Sequence, residues 1–298
     1  MNFHWGVALP NYGPHAERLV LVDTAQAAED LGFDSVWLTD HVALPEEDAA
    51  RFGRILEAIT SLAYLAGVTQ RIGLGLSALV LPQRNPVVVA KQLATADRLS
   101  GGRVRLAAAL GWSRGEFANL GADFSTRARR LEEGLRLLRT LWRGPRVVSF
   151  AGEFYRVTRA VMEPPPLQPG GPPLWVAGNS PQALQRALFY ADGWHPNARA
   201  PQWLAQRLQA QRAAMAARPF DVVLRIRLDF AAAQGPEGGL FGPPEQVARQ
   251  LAAQARAGAT GFVINFLAPT PQERLRAMRR FVEQVQPAFA TLLAGGSP

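Results

Sequence analysis

Short apolar runs alternate with helix-patterned stretches eight times along this chain, and no other feature narrows the fold as much. Residues 3–9, 35–39, 71–81, 104–110, 174–177, 193–196, 222–232 and 261–267 read as strands. Between and after them, residues 16–31, 55–66, 85–99, a segment around Phe117 running on to Trp142, then a stretch opening at Pro181, 202–217, 243–257 and 271–293 read as helices. The punctuation agrees. Gly32, Gly67 and Gly258 follow helical stretches, Gly101 and Gly102 close another, and Asn85-Pro86 opens one. Eight strand–helix pairs predict a single closed (β/α)8 barrel spanning 1–298 rather than an open doubly wound sheet. No GxGxxG follows the first strand, which argues against a dinucleotide-binding sheet. Residues 144–173 break the rhythm. Segments 147–150 and 154–157 flank Gly152 as a β-hairpin, and the proline-rich MEPPPLQPGGPP leads back to the alternation, so this part is an insertion between strands four and five.

Composition excludes several chemistries. There is no cysteine, hence no disulfide, thiolate metal site or catalytic thiol. The four histidines, His4, His15, His41 and His195, include no pair at helical ligand spacing, so no metal site is expected. The net charge is +8, and Lys91 is the only lysine among 32 basic residues. That balance invites a nucleic-acid partner. The arginines are scattered, however, and the densest group lies on a helix whose other face carries Ala128, Leu131, Leu135 and Leu138, the pattern of a solvated helix face. We expect no nucleic-acid partner. The apolar runs are too short to cross a bilayer and no basic segment precedes an apolar one at the start, so a cytoplasmic protein without a membrane partner is expected.

The stretch 174–196, LWVAGNSPQALQRALFYADGWHP, is the most suggestive of a ligand. Ser180 is a natural N-cap and Pro181 fits the first helical position, so the helix begins with free N–H groups behind a turn with little bulk at Gly178. Gly178, Asn179 and Ser180 form a candidate phosphate site. The same residues suit an ordinary strand-to-helix connection. Their place late in a barrel, at the C-terminal ends of its strands, adds weight to the phosphate reading. The other strand ends bring Asn11, Tyr12, Asp40, His41, Trp112, His195 and Asn265 to that mouth. Trp112 and Trp194 are candidates for the pocket wall or the core, and Arg84 and Arg227 for an anionic ligand or the surface. His195 reads as a loop cap, and Asn265 is too isolated to assign.

Four motifs in order resemble one family: TDHV at 39–42, GLSALVLPQRNPVVVAKQLATADRLSGGR at 75–103, LGWSRGEFANLG at 110–121, and AGNSPQAL with ADGWHP at 177–196. Together they resemble the bacterial luciferase-like superfamily, and within it the branch of oxidoreductases dependent on the deazaflavin coenzyme F420. The resemblance implies a hydride transfer between F420 and a small organic substrate, with an FMN-dependent monooxygenase and a non-catalytic ligand-binding barrel as the other readings. It also implies a homodimer. By position, it places Asp40 and His41 beside the redox ring as catalytic residues, His41 moving a proton and Asp40 orienting ring or imidazole. It puts Ser77 and Ala78 under the ring on a third-strand bulge with a cis Ser77–Ala78 peptide, Ala109, Leu110 and Ser113 beside the ring, and Gly178, Asn179 and Ser180 on the phosphate. Relatives that oxidise a sugar phosphate carry a glutamate where Leu110 stands, which tells against that substrate. Glu116, nearby, is expected to be a solvated helix residue. Gly73 and Gly75 are expected to loosen the third strand around the bulge.

Overall fold

The computed structural model describes residues 3–295. In chain order the elements are β1 (His4–Ala8), α1 (Arg18–Asp30), β2 (Ser35–Leu38), α2 (Ala49–Phe52), α3 (Ala58–Val68), β3 (Gly73–Val80), α4 (Pro86–Ser100), β4 (Val104–Ala109), α5 (Arg114–Asn119) and α6 (Arg127–Arg143). The inserted pair β5 (Val147–Ala151) and β6 (Arg156–Val161) follows. Then come β7 (Leu174–Ala177), α7 (Pro181–Tyr190), β8 (Gly193–His195), α8 (Pro201–Gln209), α9 (Arg212–Ala216), β9 (Asp221–Asp229), β10 (Leu240–Phe241), α10 (Pro244–Arg256), β11 (Gly261–Phe266), α11 (Pro271–Arg280) and α12 (Gln286–Ala294). Strands β1, β2, β3, β4, β7, β8, β9 and β11 pair in parallel, and the β8–β9 and β11–β1 pairings close the ring. The predicted (β/α)8 barrel is therefore present, with the β5–β6 hairpin outside it.

Several boundaries differ from the sequence reading for local reasons. The second hairpin arm is Arg156–Val161 rather than 154–157. The buried Glu133 carboxylate takes the N–H groups of Glu153, Phe154 and Tyr155 at 2.8, 2.9 and 2.6 Å, so those residues cannot join a ladder. Strand β9 ends at Asp229, whose carboxylate accepts from Ala231 N and Ala232 N in a side-chain turn. The expected helix over 202–217 is two, α8 and α9, and the expected helix over 271–293 widens into a π turn at Phe281–Val285 before α12. The short β10 was not anticipated; it pairs with β9 at the barrel mouth.

The barrel interior is filled rather than open. Ala8, Trp37, Ala107, Trp175, Val223 and Val263 form a buried cluster against which Ala78 packs. The indoles of Trp37 and Trp175 stack at 5.0 Å and 20°. Glycines make room for them: a Cβ on Gly75 would lie 2.2 Å from the Trp37 ring, and one on Gly6 would lie 2.6 Å from its Nε1. Gly75 thus admits Trp37 rather than loosening the strand. The β3–β4 register slips between Ser77 and Leu79, and the Ser77–Ala78 peptide is cis, as the resemblance implied. Among the described residues, no helix is long and apolar enough to cross a membrane.

Candidate active site

A cavity of about 640 Å³ opens at the C-terminal ends of the barrel strands, above the tryptophan layer. That volume lies within the range of small-molecule and cofactor pockets. Its floor is the β3 irregularity. Ser77 and Ala78 line it, and Ala109 and Leu110 form the adjoining wall. Ser77 is locked from below. His195 Nδ1 lies 2.7 Å from the Val223 carbonyl, so it donates there, and Nε2 is left to accept from the Ser77 hydroxyl at 2.7 Å. Burial drives the His195 pKa down to about 3, so the ring is neutral at pH 7. His195 is therefore a buried support of the floor and not a loop cap.

Asp40 and His41 follow β2 and both line the cavity, but they do not bond to each other. The Asp40 carboxylate is bonded to Arg84 at 2.6 Å and to Val80 N–H at 2.9 Å. Burial pushes its pKa up, opposed by Arg84 and by the Val80 hydrogen bond. Asp40 thus pins the end of β3 to the end of β2, and the expectation that it orients the imidazole is corrected. Arg84 is spent on Asp40 and Glu57, so it is not a free anion ligand.

The group that orients His41 is Glu116, which the sequence reading assigned to solvent. Glu116 is 1% exposed. Its carboxylate accepts from His41 Nδ1 at 2.9 Å, Val42 N at 2.6 Å, Ala43 N at 3.3 Å and Gln83 Nε2 at 3.1 Å. Burial alone would raise its pKa, but the hydrogen bonds from His41, Val42 and Gln83 prevail and hold it at about 2. An ionised carboxylate only accepts, so His41 Nδ1 must carry a proton. Nε2 then remains for the cavity. The imidazole sits between two aromatic rings, Phe52 at 4.9 Å and Trp112 at 5.6 Å. Trp112 walls the cavity and is half exposed, whereas Trp194 is core: its Nε1 donates to the Gly178 carbonyl at 2.8 Å.

At the far side, Ser180 caps α7 by accepting from Ala183 N at 3.1 Å, and Pro181 occupies the first turn. Gly178 has φ +124°, a conformation that favours glycine, and a Cβ there would press on Ala183 at 3.3 Å. Gly178 and Ser180 line the cavity, and among the described residues the backbone N–H groups of Asn179, Ser180 and Gln182 have no protein acceptor. Asn179 does not face the cavity with its side chain. It exchanges two hydrogen bonds with the Asn197 backbone, at 2.8 and 3.0 Å, and so ties the turn to the next loop. Ser113 is likewise absent from the lining. Its buried hydroxyl caps α5 through Glu116 N and donates to Asp48 at 2.5 Å. Those two of the expected ligands act through local structure.

Arg225 is the second residue that sequence reasoning missed. It reaches from β9 along the cavity floor, donating to the Ser77 carbonyl and, at 2.8 Å, to the Thr39 hydroxyl. No group of three or more His, Cys, Asp or Glu among the described residues could hold a metal ion.

These features define a (β/α)8 barrel with a ligand-sized mouth, a small-residue floor and one histidine aimed into it. The model of the family described as luciferase-like monooxygenase matches residues 10–237, and the chain belongs to that family. An F420-dependent glucose-6-phosphate dehydrogenase of Amycolatopsis mediterranei is 35% identical over 178 residues, covering 58% of this chain and 52% of that one. The chain matches between 51% and 63% of the length of the curated relatives it resembles. Among solved structures, an F420-dependent secondary alcohol dehydrogenase in complex with an F420–acetone adduct superposes with TM-score 0.80 at 19% identity, over 97% of this chain and 99% of the other. The monooxygenase RslO1 from Streptomyces bottropensis also reaches 0.80, at 20% identity, over 96% and 99%.

Proposed function

We propose that the chain is an F420-dependent oxidoreductase that acts on a small organic substrate at the barrel mouth. The observation that carries the reading is His41: one ring nitrogen is committed to a buried carboxylate and the other is left to a cavity with a small-residue floor. The residues present fit a coenzyme with a flat ring and a phosphate. Ala78 and Ala109 keep the floor and wall low enough for a ring, and the Gly178 turn leaves a hollow that a Cβ would fill, beside unbonded N–H groups. When bound, a deazaflavin supplies or accepts a hydride.

The chain's own residues do the rest. His41 Nε2 takes a proton from, or returns one to, the substrate oxygen, while Glu116 fixes the tautomer and offsets the charge the ring acquires. Arg225, His195 and Asp40 hold the floor in place, and Trp112 screens the cavity edge. Leu110 has no proton to give, and the carboxyl group nearest His41 is Glu116. Relatives named as F420-dependent support the coenzyme choice. The family's description as luciferase-like monooxygenase keeps an FMN-dependent monooxygenase as the second reading.

The test supplies either reduced F420 with a panel of small ketones and aldehydes, or reduced FMN, each in air. Coenzyme oxidation that tracks carbonyl reduction without oxygen uptake supports the proposal. Substrate-dependent oxygen uptake with FMN alone would replace it with the monooxygenase.

A further inference from the structure

Strand β9 places Val223, Arg225 and Arg227 on one face by its twofold period, with Val223 in the barrel interior and the arginines rising above it to the mouth. Both arginines line the cavity, and so does Arg51 from α2. Burial lowers the Arg225 pKa and the charges of Arg51 and Arg227 add to that, against an opposing pull from the Tyr12 hydroxyl. Among the described residues, none of the three pairs with a carboxylate, whereas the cavity's other cation, Arg199, is matched by Glu237 at 3.2 Å. The neighbouring polar groups are Tyr12 and Asn265. The Tyr12 hydroxyl lies 3.5 Å from Arg51 and 3.4 Å from Asn265 Nδ2. Burial would raise the phenol, but Arg225 and Arg51 bring it below its ordinary value.

Arg51 and Arg227 are exposed at the mouth and Arg225 is half-buried, so an anion entering the cavity would meet three guanidinium groups that no carboxylate among the described residues neutralises. Arg51 follows β2 and Tyr12 follows β1, across the ring from the Gly178 turn after β7, whereas β9, which carries Arg225 and Arg227, stands two strands from β7 with β8 between. Because Arg51 lies across the ring from that turn, an anion bridging Arg51 and Arg227 would be distinct from a phosphate held at the turn. We propose that Arg51 and Arg227, backed by Arg225, form the recognition site for an oxyanion group of the substrate, a carboxylate or a phosphate, which the planar arginine forks can engage. This assignment of substrate class rests on the oxidoreductase reading.

The test is calorimetric titration of the full chain with inorganic phosphate and, separately, with succinate, at low ionic strength. We expect saturable binding of at least one probe, weakened tenfold or more in Arg51→Ala/Arg227→Ala and largely recovered in Arg51→Lys/Arg227→Lys. Which probe binds identifies the oxyanion. Both arginines are solvent-facing, so circular dichroism should show the variants folded. A parallel fluorescence titration with F420 and with FMN should give the same coenzyme affinity in wild type and in Arg51→Ala/Arg227→Ala. No binding of either probe, or full-affinity binding of both in the alanine variant, overturns the site. A tenfold loss of coenzyme affinity in that variant also overturns it, by giving the arginines to the coenzyme. Failure of both coenzymes to bind wild type would instead defeat the oxidoreductase reading and, with it, the substrate assignment, while leaving the anion site measured.

Discussion

Replacing Glu116 by glutamine keeps its shape and removes its charge. One amide atom, the carbonyl oxygen, can still accept from Val42 N and Ala43 N, now at 2.6 and 3.3 Å. The other becomes an NH2 facing two donors, His41 Nδ1 at 2.9 Å and Gln83 Nε2 at 3.1 Å. The imidazole relieves the conflict by moving its proton to Nε2, so the atom turned to the cavity changes from acceptor to donor. The energetic scale follows from the carboxyl's pKa, which falls from 4.5 to about 2 in the fold. That difference corresponds to ~3 kcal/mol of preference for the charged form. Glu116→Gln should therefore lose ~2–4 kcal/mol by urea unfolding at pH 7. Because the native pKa is depressed, this contribution is complete above about pH 4.5 and is lost as pH falls toward 2, so the gap between wild type and variant should close over that window. Long-range proton–nitrogen NMR reads the tautomer directly: Nδ1–H for His41 in wild type, Nε2–H in the variant. An unchanged tautomer together with a stability loss below ~0.5 kcal/mol would refute the Glu116–His41 pairing.

Three further outcomes are expected. His4 and His195 are both held neutral down to about 3 by burial, against an ordinary 6.5, so the unfolded chain binds those protons first; urea midpoints should fall between pH 6.5 and 4.5, above most carboxylate titrations, and a flat profile there would contradict the assignment. Gly75→Ala drives a Cβ into the Trp37 indole and should cost ~2–4 kcal/mol, seen as a lowered melting temperature; an unchanged one would mean that the tryptophan layer yields. His41→Ala should leave coenzyme affinity within about twofold of wild type and slow turnover by ~10²-fold or more, and undiminished turnover would remove His41 from the chemistry.

The barrel was legible in the sequence because its signals are local. Apolar runs, the helix stop at Gly32 and the Ser180-Pro181 start each depend on a few adjacent residues, and the structure keeps these, whereas Gly67, read as a stop, lies inside α3 (Ala58–Val68), where a helical glycine costs only about 1 kcal/mol. The mouth was legible only as a set of strand ends. Glu116 shows why. Ser113-x-x-Glu116 is a capping-box spacing, which points a glutamate back at its own helix start. The Ser113 half of the box forms, but the glutamate turns instead to His41, 75 residues away, because α5 docks beneath the loop after β2. Arg225 and Arg227 carried a usable signal: two arginines at i and i+2 within an otherwise apolar run must share one face of a barrel strand. Gly75 misled in the other direction, since a glycine that admits a tryptophan from the neighbouring strand looks the same in sequence as one that permits a bulge. Asn179 and Ser113 had the right residue types for ligand contacts, and partners distant in sequence, Asn197 and Asp48, took their side chains.

The measurement that bears most directly on the account is the ratio of coenzyme affinities. Equilibrium fluorescence titration of the full chain with F420 and with FMN, under one buffer and salt, should show F420 bound at least tenfold more tightly, a difference of ~1.4 kcal/mol. FMN bound as tightly as F420 or more so would contradict the deazaflavin assignment and give precedence to the flavin monooxygenase.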